Sequence, residues 1–112
     1  MVAFTINMDI FNALADPTRR HIIEQLNQHG EQSIKQLGQG LNITRQALTK
    51  HLDKLVKAKL VSAEFVGKHR VHRLNDKSLY QLKRWLSPFE QAWEHRLGAL
   101  SEHLGEDHDK QD

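Results

Sequence analysis

Thr44, Arg45, Gln46, Thr49 and Lys50 crowd a hydroxyl, a guanidinium, an amide, a second hydroxyl and an ammonium into one short stretch. Those groups do the chemistry of nucleic-acid recognition. A guanidinium or a carboxamide can bond bidentately to a purine edge, while ammonium and hydroxyl groups grip phosphate. Lys54 extends the basic series, and His51 has two readings, as a phosphate donor or as a group holding the helix to the core. Leu48, Leu52 and Leu55, with Val56, recur at helical spacing on the other side. Residues 45–57 therefore read as a helix with one face for a core and one for DNA. A merely solvated basic helix would carry the same face, so the neighbouring elements decide.

Thr44 is placed to cap this helix and to meet a phosphate at its N-terminus. Ahead of it, Ser33 caps a short helix, Ile34 to Leu41, with Ile34, Leu37 and Leu41 inward. Gly38 leaves room for the next helix to cross closely, and Asn42 is expected in the left-handed conformation that ends a helix. The pattern is helix, short turn, helix. Upstream, Asp9 to Ala15 reads as a helix with Ile10, Phe11 and Leu14 inward. Asp16-Pro17-Thr18 then starts another, to about Gln28, with Ile22, Ile23 and Leu26 buried and Gly30 ending it. Arg19 and Arg20 oppose the dipole of that first turn, so a phosphate contact or an ion pair is expected of one of them.

Beyond Lys57-Ala58-Lys59-Leu60 the sequence turns extended. Val61 to Val66 and His69 to Leu74 flank Gly67-Lys68, which predicts a hairpin with a basic tip. A hairpin directly after a helix-turn-helix is the wing of a winged-helix domain, and Lys68 and Arg70 suit a phosphate backbone or a minor groove. His72 shares a strand face with Leu74, which predicts half-buried packing. Asn75-Asp76 caps a further helix, Leu79, Leu82 and Leu86 being its apolar positions, and Ser87-Pro88-Phe89-Glu90 predicts a break or bend at Ser87 and then a second helix to about Leu104. Phe89, Trp93, Leu97, Leu100 and Leu104 form a stripe of near-heptad spacing that would pair with a second copy, helped by Phe11, while Trp85 is expected off the stripe. Residues 1–8 read as a flexible N-terminus and 105–112 as an acidic, disordered tail.

The chain has 112 residues, 38% of them hydrophobic and 6% aromatic, with a mean hydropathy of −0.64. That allows one domain, residues 9–104, whose modest core a partner subunit would complete. No apolar run is long enough to span a membrane and no signal-peptide pattern opens the chain, which predicts a cytoplasmic protein without a membrane partner. The absence of cysteine excludes disulfides, thiolate metal sites and thiol nucleophiles. Neither a Gly-rich phosphate loop nor a recognisable Ser-His-acid set is present, so no enzymatic activity and no cofactor are expected. Charge is segregated. Between Thr44 and Arg73, Arg45, Lys50, Lys54, Lys57, Lys59, Lys68, Arg70 and Arg73 face only Asp53 and Glu64, while the stretch after Ser101 is acidic.

With these residues in view, the chain resembles the ArsR/SmtB-like winged-helix repressors. The resemblance rests on Ala13-Leu14-Ala15-Asp16-Pro17-Thr18-Arg19-Arg20, on Leu37, on Thr44 through Leu52, and on Leu60-Val61 and Gly67-Lys68. It implies an α+β, mostly α, winged helix-turn-helix with a C-terminal dimerisation helix at about 76–104. It also implies a homodimer binding an inverted-repeat DNA operator, usually as a repressor released by an inducer, here an unknown small molecule. Trp85, Pro88, Trp93 and Leu97 are similar to a cysteine-free subgroup found beside genes for START-like hydrophobe-binding proteins. The chain departs from the metal-sensing members: Ile34 to Gln39 offers no thiolate, and His95, Glu102, His103 and His108 lack those sensors' spacing, so no metal site is assigned. Two rival readings stay open at this point: a repressor sensing metal through histidines shared across a dimer, and a protein-interaction module built on the same scaffold.

Overall fold

A computed structural model describes the backbone of residues 8–109 and the side chains of 9–98. Of the N-terminus expected to be loose, residues 1–7 lie outside the described residues, as do residues 110–112 of the tail and the side chains of Leu100 and Leu104, while the backbone of Met8 already belongs to a helix. The chain divides into two units, Met1–Leu82 and Lys83–Asp112.

In the first unit, α1 (Met8–Leu14) leads to α2 (Pro17–His29), whose start is written in the sequence. Asp16 is extended and accepts the Arg19 backbone N–H at 3.0 Å, while Pro17 supplies a preset φ. Gly30, at φ 77°, closes α2 by donating its N–H to the Leu26 carbonyl. A two-residue strand, β1 (Gln32–Ser33), comes next, then α3 (Ile34–Gln39), opened by a Ser33/Gln36 capping box. After α4 (Arg45–Lys57), the strands β2 (Val61–Val66) and β3 (His69–Leu74) form the hairpin, with Val66 opposite His69 across Gly67-Lys68. Gly67 sits at φ 64°, as a tight two-residue turn requires. The sheet is antiparallel in the order β1-β3-β2.

The core gathers Ile10, Ile22, Leu26, Leu37, Leu48, Leu52, Leu55, Leu60 and Val61, drawn from α1 to α4, the turn after α4 and the start of β2, with three of them from α4. It anchors α4 along its whole length and leaves the opposite face of that helix free.

Three local expectations are corrected. Asn42 does not take a left-handed conformation. Gly40 and Leu41 instead close the turn, donating N–H groups to the Leu37 and Gly38 carbonyls at 3.4 and 3.3 Å. Among the described residues the one non-glycine at positive φ is Lys59, at 63°, where α4 ends. There the Leu60 N–H reaches the Leu55 carbonyl at 3.0 Å and the Lys59 N–H the Val56 carbonyl at 2.9 Å, a Schellman closure sealed by buried Leu55 and Leu60. Gly38 is less demanding than expected: a Cβ there would meet the Leu48 Cδ2 at 3.6 Å, an ordinary contact.

The third correction concerns α5 (Asp76–Asp109), a single helix that carries Pro88 in its interior. Proline removes one donor from the ladder and crowds the preceding turn, but the helix runs through Ser87 without ending. It also continues past Gly105, over residues where the acidic tail was expected to leave the helix. Residues 76–82 belong to the first unit and the rest of α5 to the second. Among the described residues, no helix is long and apolar enough to cross a membrane.

Candidate nucleic-acid interface

The burial of Leu48, Leu52 and Leu55 fixes the roll of α4, and that roll decides which side chains face outward. Arg45, Gln46 and Lys50 are exposed, Thr49 is half-buried, and these four line one open concave surface together with Thr44. The Thr44 Oγ1 accepts the Ala47 N–H at 3.0 Å, which caps the helix and leaves the hydroxyl proton for another acceptor. The Thr49 hydroxyl is turned back on the helix and donates to the Arg45 carbonyl at 2.9 Å. Its outward contribution is thus a methyl group and an acceptor oxygen.

Lys54 and His51 are placed differently. Lys54 is exposed but lines a cleft of about 290 Å³ with Asn12, Ala13, Arg19 and Lys57, on the side of α4 that faces α1. His51 is turned toward the start of α2, its Nδ1 lying 3.8 Å from the Asp16 Oδ2 and 3.4 Å from the Arg19 Nη1. The Asp16 carboxyl is held below its ordinary pKa chiefly by the Arg19 backbone N–H, with smaller contributions from the charges of His51 and Arg19. Of the two readings of His51, the geometry favours the one that holds the helix.

Arg19 and Arg20 have a shared task. Arg19 is buried and donates to the Ala13 carbonyl at 2.6 Å and the Asn12 carbonyl at 3.0 Å, while Arg20 donates to the Leu14 carbonyl at 2.7 Å and the Ala15 carbonyl at 3.2 Å. Both guanidinium groups occupy the negative end of α1, whose last carbonyls have no helical partner. The start of α2 therefore clamps the end of α1, and through His51 it touches α4.

The hairpin brings the basic residues of its tip back toward α4. Lys68 and Arg70 are exposed and share a cleft of about 240 Å³ with Arg45 and with Lys35, the second residue of α3. Sequence reasoning missed Lys35 and Phe65 as members of this surface. The only local sign for Lys35 was its place next to Ile34, on the outer side of a short amphipathic helix. On the opposite hairpin face Arg73 is already paired with Glu64 at 3.0 Å. His72, expected half-buried, is only 2% exposed on the central strand, and its Nδ1 has no hydrogen-bond partner among the described residues. Burial, with a smaller push from the Arg70 charge, lowers its pKa below the ordinary histidine value.

In the second unit, Phe89, Trp93 and Leu97 are 43%, 44% and 59% exposed. Trp85 does not lie off their stripe: its ring centroid is 4.9 Å from that of Phe89, which in turn is 6.4 Å from Trp93. Spacing of four residues puts all of them on one helical face. Phe11, expected to help this face, is half-buried on α1 in the first unit. Among the described residues no three metal-ligating side chains cluster.

Comparison with known proteins matches residues 14–62 to the family described as a helix-turn-helix domain. The HTH-type transcriptional regulator YuzN of Bacillus subtilis is 40% identical over 69% of this chain and 91% of its own length. Among solved structures, an ArsR-like transcriptional regulator from Rhodococcus sp. RHA1 is 33% identical, covers 85% of this chain and 89% of its own, and superposes with a TM-score of 0.67. The homodimeric winged helix-turn-helix DNA-binding domain of Mb0332 from Mycobacterium bovis shares the fold at 20% identity, with a TM-score of 0.62 over 79% of this chain and 82% of its own.

Proposed function

The chain belongs to the ArsR-like winged helix-turn-helix transcriptional regulators, and from that premise we propose that it acts as a homodimeric repressor at an inverted-repeat operator. The observation that carries this reading is the face of α4. Its apolar side is sealed into the core while Thr44, Arg45, Gln46, Thr49 and Lys50 share one open surface. That surface supplies a helix of major-groove width with two bidentate side chains at its first turn. Lys68 and Arg70 serve as phosphate contacts from the wing, Lys54 flanks the groove, and His51 positions the helix. The aromatic stripe of α5, with the side chains at Leu100 and Leu104 and Phe11 of α1, supplies the dimer contact. A dimer brings two reading helices to half-sites centred about one DNA turn apart, roughly 34 to 36 Å. Repression follows if the seated dimer occludes the promoter, and a small-molecule inducer would release it. Such a protein works in the cytoplasm, beside the DNA it reads.

The test is a comparison of specific with non-specific affinity for Gln46→Ala by fluorescence anisotropy. A base-reading amide predicts a loss of about 1 to 3 kcal/mol on the operator with little change on unrelated duplexes. Equal losses on both would remove the base-reading role.

A further inference from the structure

The hairpin outruns the core it covers. Cross-strand partners share a face, so Val61 with Leu74, Ala63 with His72 and Phe65 with Arg70 form one continuous underside. Val61 and His72 are buried beneath that face, but Phe65, further toward the tip, is 73% exposed. It overhangs the cleft of about 240 Å³ that Lys35, Arg45, Lys68 and Arg70 also line, and no acidic residue is among the lining side chains. An exposed phenyl ring among cations suits a partner that offers anionic and apolar surface side by side at the same spacing. The sugar-phosphate backbone is such a surface, with phosphates alternating with deoxyribose rings. The cleft is also continuous with the reading face of α4 through Arg45, which lines both.

We propose that Phe65 packs on a deoxyribose of the bound duplex while Lys35, Lys68 and Arg70 hold the flanking phosphates. The wing then senses the shape of the backbone, by groove width, as well as its charge. This rests on the DNA-binding reading above and adds to it an apolar contact that neither charge nor base chemistry supplies. Phe65 is here a contact residue that sets shape preference and reads no base.

The experiment exploits salt. Affinity carried by cations falls with salt because counterions are released, whereas an apolar contact leaves that slope unchanged. On a selected operator duplex, Phe65→Ala in the full chain is expected to lose about tenfold in affinity, in keeping with partial burial of one phenyl ring, at an unaltered slope of log K against log salt. Phe65→Trp is expected to stay within about threefold of the parent, because a flat aromatic ring retains the apolar contact. Lys35→Ala should shallow the slope by about 0.9. Because Phe65 is exposed, Phe65→Ala should melt with the parent protein, which keeps a binding loss from being a folding loss. Affinity of Phe65→Ala within twofold of the parent, a slope shallowed as in Lys35→Ala, or equal losses in Phe65→Ala and Phe65→Trp would each overturn the proposal. A parent protein that binds no duplex at all would remove the DNA-binding reading and this inference with it, an outcome distinct from the other three.

Discussion

His72 and Arg19 carry the clearest consequences at the scale of single residues. The fold holds the proton of His72 more weakly than the unfolded chain does, because the imidazole is buried on the central strand beside the Arg70 charge. Below about pH 6.5, its ordinary value, the unfolded state therefore takes up more protons and stability must fall as the pH falls. Urea midpoints measured from pH 7.5 down to 5 should decline for the parent and decline less for His72→Leu. Identical profiles would exclude His72 as the source. Asp16 acts in the same direction lower down: its depressed pKa gives stability above about pH 3.8 that is lost in stronger acid. Arg19→Ala strips the Asn12 and Ala13 carbonyls of their charged donor in a buried position, and should cost about 2 kcal/mol in urea unfolding. Arg20→Ala, exposed, should cost no more than about 0.5 kcal/mol. The helix dipole marked Arg19 and Arg20 in the sequence, but it led to the expectation of a phosphate contact or an ion pair for one of them, where both instead donate to backbone carbonyls. That the partners would be carbonyls five to seven residues upstream depends on how the chain turns at Ala15-Asp16, which the dipole does not determine.

Caps and apolar periods made most elements legible. Asp16-Pro17, Ser33, Thr44 and Gly67-Lys68 each start or turn the chain where their chemistry requires, and the leucines of α4 alone fix its reading face. The misreadings have physical causes. β1 is too short to show any alternation, and exists because Gln32 and Ser33 find His72 and Val71 across the sheet. Asn42 was favoured for the left-handed position by its residue type, whereas the chain spends that conformation on Lys59, where the Schellman bonds and the Leu55–Leu60 contact outweigh the steric penalty. Lys59→Gly should therefore stabilise the protein by about 1 kcal/mol, read as a raised urea midpoint at unchanged slope. A loss of stability would mean that the lysine side chain contributes more than its backbone strain. Gly38→Ala tests the α3–α4 crossing in the same way. With ordinary contact to Leu48, it should gain about 0.5 to 1 kcal/mol of helix propensity, and a loss would show that the crossing is tighter than the geometry allows.

For the molecule as a whole, the segregation of charge was visible in composition, and so was the shortage of core. The structure adds where each falls: cations along α4 and the wing, exposed aromatics along α5 and, at Phe65, on the wing. Trp93→Glu should shift sedimentation equilibrium toward monomer, since a carboxylate in an apolar dimer face costs several kcal/mol unless it is paired, and operator affinity should fall with it. An unchanged dimer would put the subunit contact elsewhere. The central claim is that the two α4 helices of one dimer read DNA together, and it is tested most directly by selecting bound sites from a pool of random duplexes with the 112-residue chain. The account predicts enrichment of an inverted repeat whose half-site centres lie about one helical turn apart. Recovery of unrelated sequences, or of single half-sites without a symmetric partner, would contradict it.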